Sequence, residues 1–175
     1  HVDVECVVVR DEGLGDRPAR NHLQHRRLDL HEVERVEEVA RGYAEAGSHV
    51  ILTNTFGSNR LRLGEQDSTL AGRVAEINRR GVDLSKRGAI GRAKVFASIG
   101  PTGKLLLGGD VTPDEVSAAF VEQAQALAEA GADALVVESM SDIEEAKLAV
   151  AAAKATGLPV VASMVYDSGQ NRDRT

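Results

Sequence analysis

One phrase occurs twice along the chain and constrains its fold more than any other feature. Ala44-Glu45-Ala46-Gly47-Ser48-His49-Val50-Ile51-Leu52 returns as Ala128-Glu129-Ala130-Gly131-Ala132-Asp133-Ala134-Leu135-Val136, and each copy reads as a helix end, a glycine stop and a strand. A third version, Ala155-Thr156-Gly157-Leu158-Pro159-Val160-Val161, keeps that order with proline opening the strand. Glycine takes the left-handed conformation that closes a helix, and the apolar run behind it suits a strand covered on both faces.

The helices ahead of these stops have readable starts. Thr112-Pro113-Asp114-Glu115 offers a threonine cap, a proline at the first helical position and a glutamate that closes a capping box, and Ser141-Asp142-Ile143-Glu144 repeats the device. Val116, Phe120, Gln123, Leu127 and Ala130 recur at spacings of three or four, as do Val33, Val36, Ala40 and Tyr43, so each helix has one face for a sheet to cover. The order that follows is strand Val4 to Arg10, helix Glu32 to Ala46, strand His49 to Asn54, helix Ser68 to Lys86 interrupted by Gly81, and strand Lys94 to Ile99. Helix Pro113 to Ala130, strand Asp133 to Glu138, helix Ile143 to Thr156 and strand Pro159 to Tyr166 complete it. Strict alternation means parallel strands with crossover helices. A closed TIM-type barrel uses eight strands over about 250 residues. With five strands in 175 residues, one domain over 1–175, the chain reads either as a compact open sheet or as the first five of the eight strands of a barrel.

Composition narrows the function classes. The net charge is -6 and aromatic residues make up 3%, which argues against a nucleic-acid surface with its basic footprint and stacking rings. No apolar run approaches the ~18 residues of a membrane span, and no basic start with an apolar stretch marks a secretory leader, so a cytoplasmic protein without a membrane partner is expected. Cys6 is the single cysteine and sits in an apolar run, which reads as a small buried hydrophobe. His22, His25 and His31 lie close together, but Arg20, Arg26 and Arg27 beside them repel a metal cation, so no metal site is expected there.

In either architecture the chemistry belongs at the carboxyl ends of the strands, where the loops converge. That rule selects Asp11 and Glu12, then Thr53-Asn54-Thr55-Phe56-Gly57, Ser98-Ile99-Gly100-Pro101-Thr102-Gly103, Glu138-Ser139, and Ser163 to Asp167. Asn54 is seven residues beyond Gly47 and Glu138 seven beyond Gly131, which places the two at the same step of successive ladders. If Glu138 faces the barrel interior, Ala134 and Val136 share its face, while Leu135 and Val137 face the helices. The plainer readings are a carboxylate that pairs with a lysine or caps a helix, and an Asn54-Thr55 turn.

These strand ends resemble the homocysteine S-methyltransferase family, and within it the homocysteine-binding module of cobalamin-dependent methionine synthases. The matching phrases are Tyr43-Ala44-Glu45-Ala46-Gly47 with Ile51-Leu52-Thr53-Asn54-Thr55-Phe56-Gly57, then Ala97-Ser98-Ile99-Gly100-Pro101-Thr102-Gly103-Lys104, and Ala130-Gly131-Ala132-Asp133 with Val137-Glu138, Asp142 and Glu145-Ala146. The resemblance implies a β/α barrel that transfers a methyl group to the homocysteine thiol, with zinc converting the thiol to a thiolate. It implies substrate-binding residues Asp11, Asn54, Thr55, Ser98, Glu138 and Ser163, with Glu138 contacting the homocysteine ammonium. The family's first-strand motif Asp-Gly-Ala-Met-Gly-Thr corresponds to Asp11-Glu12-Gly13-Leu14-Gly15-Asp16, with glutamate and aspartate as departures.

The same resemblance implies partners: homocysteine, and a methyl donor or corrinoid domain carrying a methylated corrinoid. The family's three zinc-binding cysteines have no counterpart, since only Cys6 is present, so neither metal ligands nor catalytic residues are assigned. Two other readings stay open, a non-catalytic remnant that binds a small amino acid or a partner, and an unrelated barrel lyase. An unclosed sheet also favours self-association through its open edges.

Overall fold

Each glycine of the repeated phrase closes its helix in the left-handed conformation, with φ of 94° at Gly47, 84° at Gly131 and 79° at Gly157. The structure, a computed structural model, describes residues 30–104 and 106–166. The expected strand Val4 to Arg10, with Cys6, Asp11, Glu12, His22 and His25, lies outside the described residues, as does Asp167.

Within them the order is α1 (Leu30–Glu45), β1 (Val50–Leu52), α2 (Arg60–Gln66), a 3-10 turn (Leu70–Arg73), α3 (Val74–Ala89), β2 (Lys94–Ile99), a second 3-10 turn (Leu106–Gly108), α4 (Pro113–Glu129), β3 (Ala134–Met140), α5 (Ile143–Lys154) and β4 (Val160–Met164). The four strands lie side by side in chain order, and every pair is parallel. A doubly wound sheet reverses its strand order at a switch point; this one does not among the described strands.

The helices share one face of the sheet. Ile51 and Val95 pack with Ala40 and Ala44 of α1 and Ala89 of α3, while Ala97, Ile99, Leu135 and Val137 pack with Val82, Val116, Phe120, Leu127 and Ala149. Phe120 is completely buried there, a burial that stabilises the fold by about 1.5 to 3 kcal/mol. On the opposite face, Ser98 is level with Val136 and Phe96 with Ala134, and Leu52 is 48% exposed. Sequential parallel order with helices on one side is the β/α arrangement of a TIM-type barrel, seen here over four strands. Leu135 and Val137 face the helices, as strand alternation from Glu138 requires.

Two expectations are corrected. The helix expected from Ser68 to Lys86 starts later and runs further, as α3 (Val74–Ala89) behind the 3-10 turn Leu70–Arg73: α2, capped by Asn59, whose side chain accepts from the Arg62 N–H, ends at Gln66, and Asp67 then takes both the N–H and the hydroxyl of Thr69 at 2.8 Å. That side-chain turn competes with helix, so α3 starts only at Val74. It runs through Gly81, where a Cβ would lie 2.5 Å from Cγ2 of Thr55; the glycine marks a close approach, not an interruption. The helix before β4 begins with Asp142 as its cap, not Ser141. Its side chain accepts from the N–H groups of Glu144 and Glu145, and Glu144 pairs with Lys147. The Thr112 capping box forms as read. No helix among the described residues is long and apolar enough to cross a membrane.

Candidate functional site

β1 stops at Leu52, but two threonine side chains carry its pairing with β2 further. Thr53 Oγ1 accepts from the Ser98 N–H at 3.0 Å, and Thr55 Oγ1 donates to the Ser98 carbonyl at 2.7 Å. The two hydroxyls are 2.6 Å apart. Ser98 is thereby fixed at both backbone groups, and its own Oγ donates to Oε1 of Glu138. Buried and fully bonded, Ser98 holds a half-exposed carboxylate over the carboxyl end of the sheet.

The register changes the phase relation drawn from the glycines. Leu52 pairs with Phe96, the last pair of β1, and Ser98 with Val136, so counting on in this register sets Asn54 two residues short of Glu138. Strands of a barrel are staggered by its shear, which a count from a helix stop does not include. Beyond Glu138 the β3–β4 register shifts between Val137 and Met140, and Ser139 has φ of 59°. This extra residue is a bulge of the kind that re-aims side chains near sites. It returns Met140 to the buried helix side, and the Ser163 hydroxyl accepts from the Ser139 N–H at 3.4 Å.

The Thr55 loop is bolted from behind by amides. Gln123 Nε2 donates to the Thr55 carbonyl at 2.8 Å and to Asn78 Oδ1 at 3.3 Å, while Asn78 Nδ2 donates to the Ser58 and Val74 carbonyls, each at 2.8 Å. The loop after β2 is anchored from α5: Glu145 Oε1 accepts from both the N–H and the hydroxyl of Thr102. Gly100 and Gly103 lie against side chains, Phe56 and Arg62 respectively, with no room for a Cβ.

Of the six sequence-selected residues, the structure brings Thr55, Ser98 and Glu138 into one connected set. Asn54 is exposed at the end of β1 and Ser163 is exposed on β4; Asp11 lies outside the described residues. Sequence reasoning passed over Gln123, Glu145 and Arg62 as site-shaping groups, and Thr53, selected at the strand end, proves to act through its hydroxyl on Ser98. Gln123 carried a signal, being a polar residue on the apolar face of α4. Glu145 had its place in the first turn of α5 and in the family phrase Glu145-Ala146.

A family model described as homocysteine S-methyltransferase matches residues 10–175. The chain belongs to the homocysteine S-methyltransferase family. It is 34% identical over 121 residues to a methionine synthase of Mycobacterium tuberculosis, covering 66% of this chain and 10% of that protein. It is 31% identical over 132 residues to betaine--homocysteine S-methyltransferase 1 of Danio rerio, covering 75% of this chain and 32% of the relative. The fold is shared with the homocysteine methyltransferase MmuM of Escherichia coli in its oxidized form, at a TM-score of 0.65 and 18% identity over 85% of this chain and 56% of that one. The chain thus spans about a tenth and a third of these two relatives and about half of the solved structure.

The zinc that this family implies does not fit the residues in hand. No group of three or more His, Cys, Asp or Glu among the described residues is placed to hold a metal ion. With Cys6 alone in the sequence, a site of three thiolates cannot be assembled from this chain.

Proposed function

We propose that this chain forms the substrate-head side of a cytoplasmic homocysteine S-methyltransferase barrel. Homocysteine is the acceptor: a sulfur–methyl bond forms as the donor–methyl bond breaks, the thiol proton leaves, and methionine results. The single observation that carries the reading is Glu138, held by Ser98 at the strand ends in a chain of this family. A fixed carboxylate is the partner an ammonium group requires. Asn54 and Ser163 stand at the rim for the remaining polar atoms of the head, Thr55 and Ser98 form the wall behind, and Asp11, outside the described residues, is assigned to the set by the family motif.

In this reading the chain's residues bind and orient, and they leave thiol activation to groups beyond the described set. The donor is assigned as a methylated corrinoid, presented by a separate domain, on the strength of the methionine synthase likeness. One observation favours a second reading, a binding module without catalysis: the single cysteine.

Calorimetry with homocysteine tests the binding common to both readings, which is expected to be independent of zinc because no ligand set for it stands among the described residues. Methionine formed from a methylated corrinoid when a partner supplies the thiolate zinc site supports the enzyme reading; binding without methionine formation under those conditions supports the module. In either case Glu138→Gln removes the charge and nearly keeps the shape, so homocysteine affinity falls roughly tenfold to a hundredfold, the value of one charge-assisted hydrogen bond. Unchanged affinity in a folded Glu138→Gln variant removes Glu138 from the site.

A further inference from the structure

A cleft of about 370 Å³ opens beside the end of β1, lined by Asn54, Phe56, Arg62, Leu63 and Gln66 with the backbone of Gly57 and Ser58. Its chemistry is opposite in sign to that of Glu138. The Arg62 side chain makes no hydrogen bond among the described residues, and its one ion pair, with Glu65, is long at 3.9 Å. Glu65 is committed elsewhere, with its other oxygen 2.5 Å from Lys104 Nζ. The hydrogen bond and charge of Lys104, and less strongly the charge of Arg62, hold the Glu65 carboxyl below the ordinary range. Arg62 therefore keeps its fork of N–H donors for another acceptor.

The cleft is also built. The Phe56 ring lies where a side chain at Gly100 would be, 2.5 Å from an added Cβ, and the Phe56 carbonyl accepts from the Gly100 N–H at 2.8 Å. The Arg62 guanidinium likewise occupies the space over Gly103. Both glycines flank Thr102, which the buried Glu145 holds, so one anchored loop sets both the apolar and the cationic wall. Phe56 is 41% exposed and Leu63 is buried beneath the surface, giving an exposed aromatic edge next to a guanidinium and two amides.

We propose that this cleft binds a small organic carboxylate, its carboxylate paired with Arg62 between the Asn54 and Gln66 amides and its apolar body seated on Phe56. Glu138 is not part of this lining, Asn54 stands at the rim of both sites, and the proposal does not depend on the homocysteine reading. One planar guanidinium flanked by neutral amides matches a carboxylate held by two parallel N–H bonds.

The test titrates benzoate, with benzamide as its neutral counterpart and inorganic phosphate as an anion without the ring, into the isotope-labelled chain, following backbone amide resonances. Benzoate is expected to shift Asn54, Gly57, Arg62 and Gln66 saturably in the millimolar range, with benzamide and phosphate each at least roughly tenfold weaker. Arg62→Gln weakens benzoate by about the same factor, Arg62→Lys recovers part of it, and Glu138→Gln leaves it unchanged, with native-like spectra establishing that each variant is folded. Benzamide binding as tightly as benzoate, or an unaltered Arg62→Gln titration, overturns the role of Arg62. Phosphate binding equal to benzoate overturns the carboxylate class. Displacement of benzoate by glycine overturns the separate site by assigning Arg62 to an amino-acid head.

Discussion

Glu145, in the first turn of α5, takes the backbone N–H of Thr102 at 2.7 Å and its hydroxyl at 2.6 Å on a single carboxylate oxygen, with both residues buried. A helix that packs on one face of the sheet thus fixes a loop at the carboxyl end of β2. Removing the acceptor leaves two buried donors unpaired, so Glu145→Ala is expected to cost about 3 kcal/mol. Glu145→Gln, which keeps an acceptor oxygen, costs less. Urea denaturation of both variants with Thr102→Val in a double-mutant cycle measures the coupling; additive effects would show that the two residues act independently.

Gly81 offers a test in which helix propensity and packing have opposite signs. Alanine in a helix interior is favoured over glycine by about 1 kcal/mol, yet its Cβ at position 81 meets Thr55 Cγ2 at 2.5 Å. Overpacking of this kind costs about 1 to 3 kcal/mol, so Gly81→Ala is expected to destabilise. Thr55→Ser, which removes the methyl and keeps the hydroxyl bond to Ser98, restores stability in the double variant. Thermal melts of the four proteins decide it, and a Gly81→Ala melt above the parent would show that packing is looser than described.

Asp133 ties the amino end of β2 to β3, accepting from the Val95 N–H at 2.8 Å with Lys94 at 3.3 Å. The Val95 bond, more than the neighbouring lysines, holds its carboxyl below the ordinary value. Because the folded value is lowered, the stabilisation is complete above the unfolded aspartate value of about 3.9 and is lost as pH falls through the folded value. The side chain is 31% exposed, so Asp133→Asn is expected to cost about 1 kcal/mol at neutral pH. The difference between parent and variant closes in acid below about pH 4. A gap that stays constant from pH 7 into that range would rule out the charge as its origin.

Among the described strands β4 is an edge, and beside it Val161, Val165 and Tyr166 are between 37% and 54% exposed. Unpaired edge backbone beside apolar side chains recruits another strand. Light scattering of the isolated chain is expected to show mass rising with concentration, reduced by Val161→Lys. A single monomeric mass across a hundredfold dilution, from about 100 μM, would contradict this.

The alternation of strand and helix, the glycine stops and the Thr112 cap were determined by the sequence, because each rests on φ preferences and side-chain bonds within a few residues. The family motifs at the strand ends were legible for a related reason, since they are contiguous phrases. The late start of the Ser68 to Lys86 helix at Val74 was not, because a turn at Asp67 competes locally with helix, and the role of Gly81 as a close approach to Thr55 shows only in the packed structure. Nor was the relation of Asn54 to Glu138: counting from the glycines fixes position along one strand, whereas the stagger between strands is set by hydrogen-bonded register and by the bulge at Ser139. The tertiary structure alone decided that Ser98 holds Glu138, that Glu145 reaches Thr102, and that Arg62 lines a cleft with no side-chain hydrogen bond among the described residues. Each of these joins groups distant in sequence or depends on which neighbour satisfies a charge first, and no periodicity or motif encodes that competition.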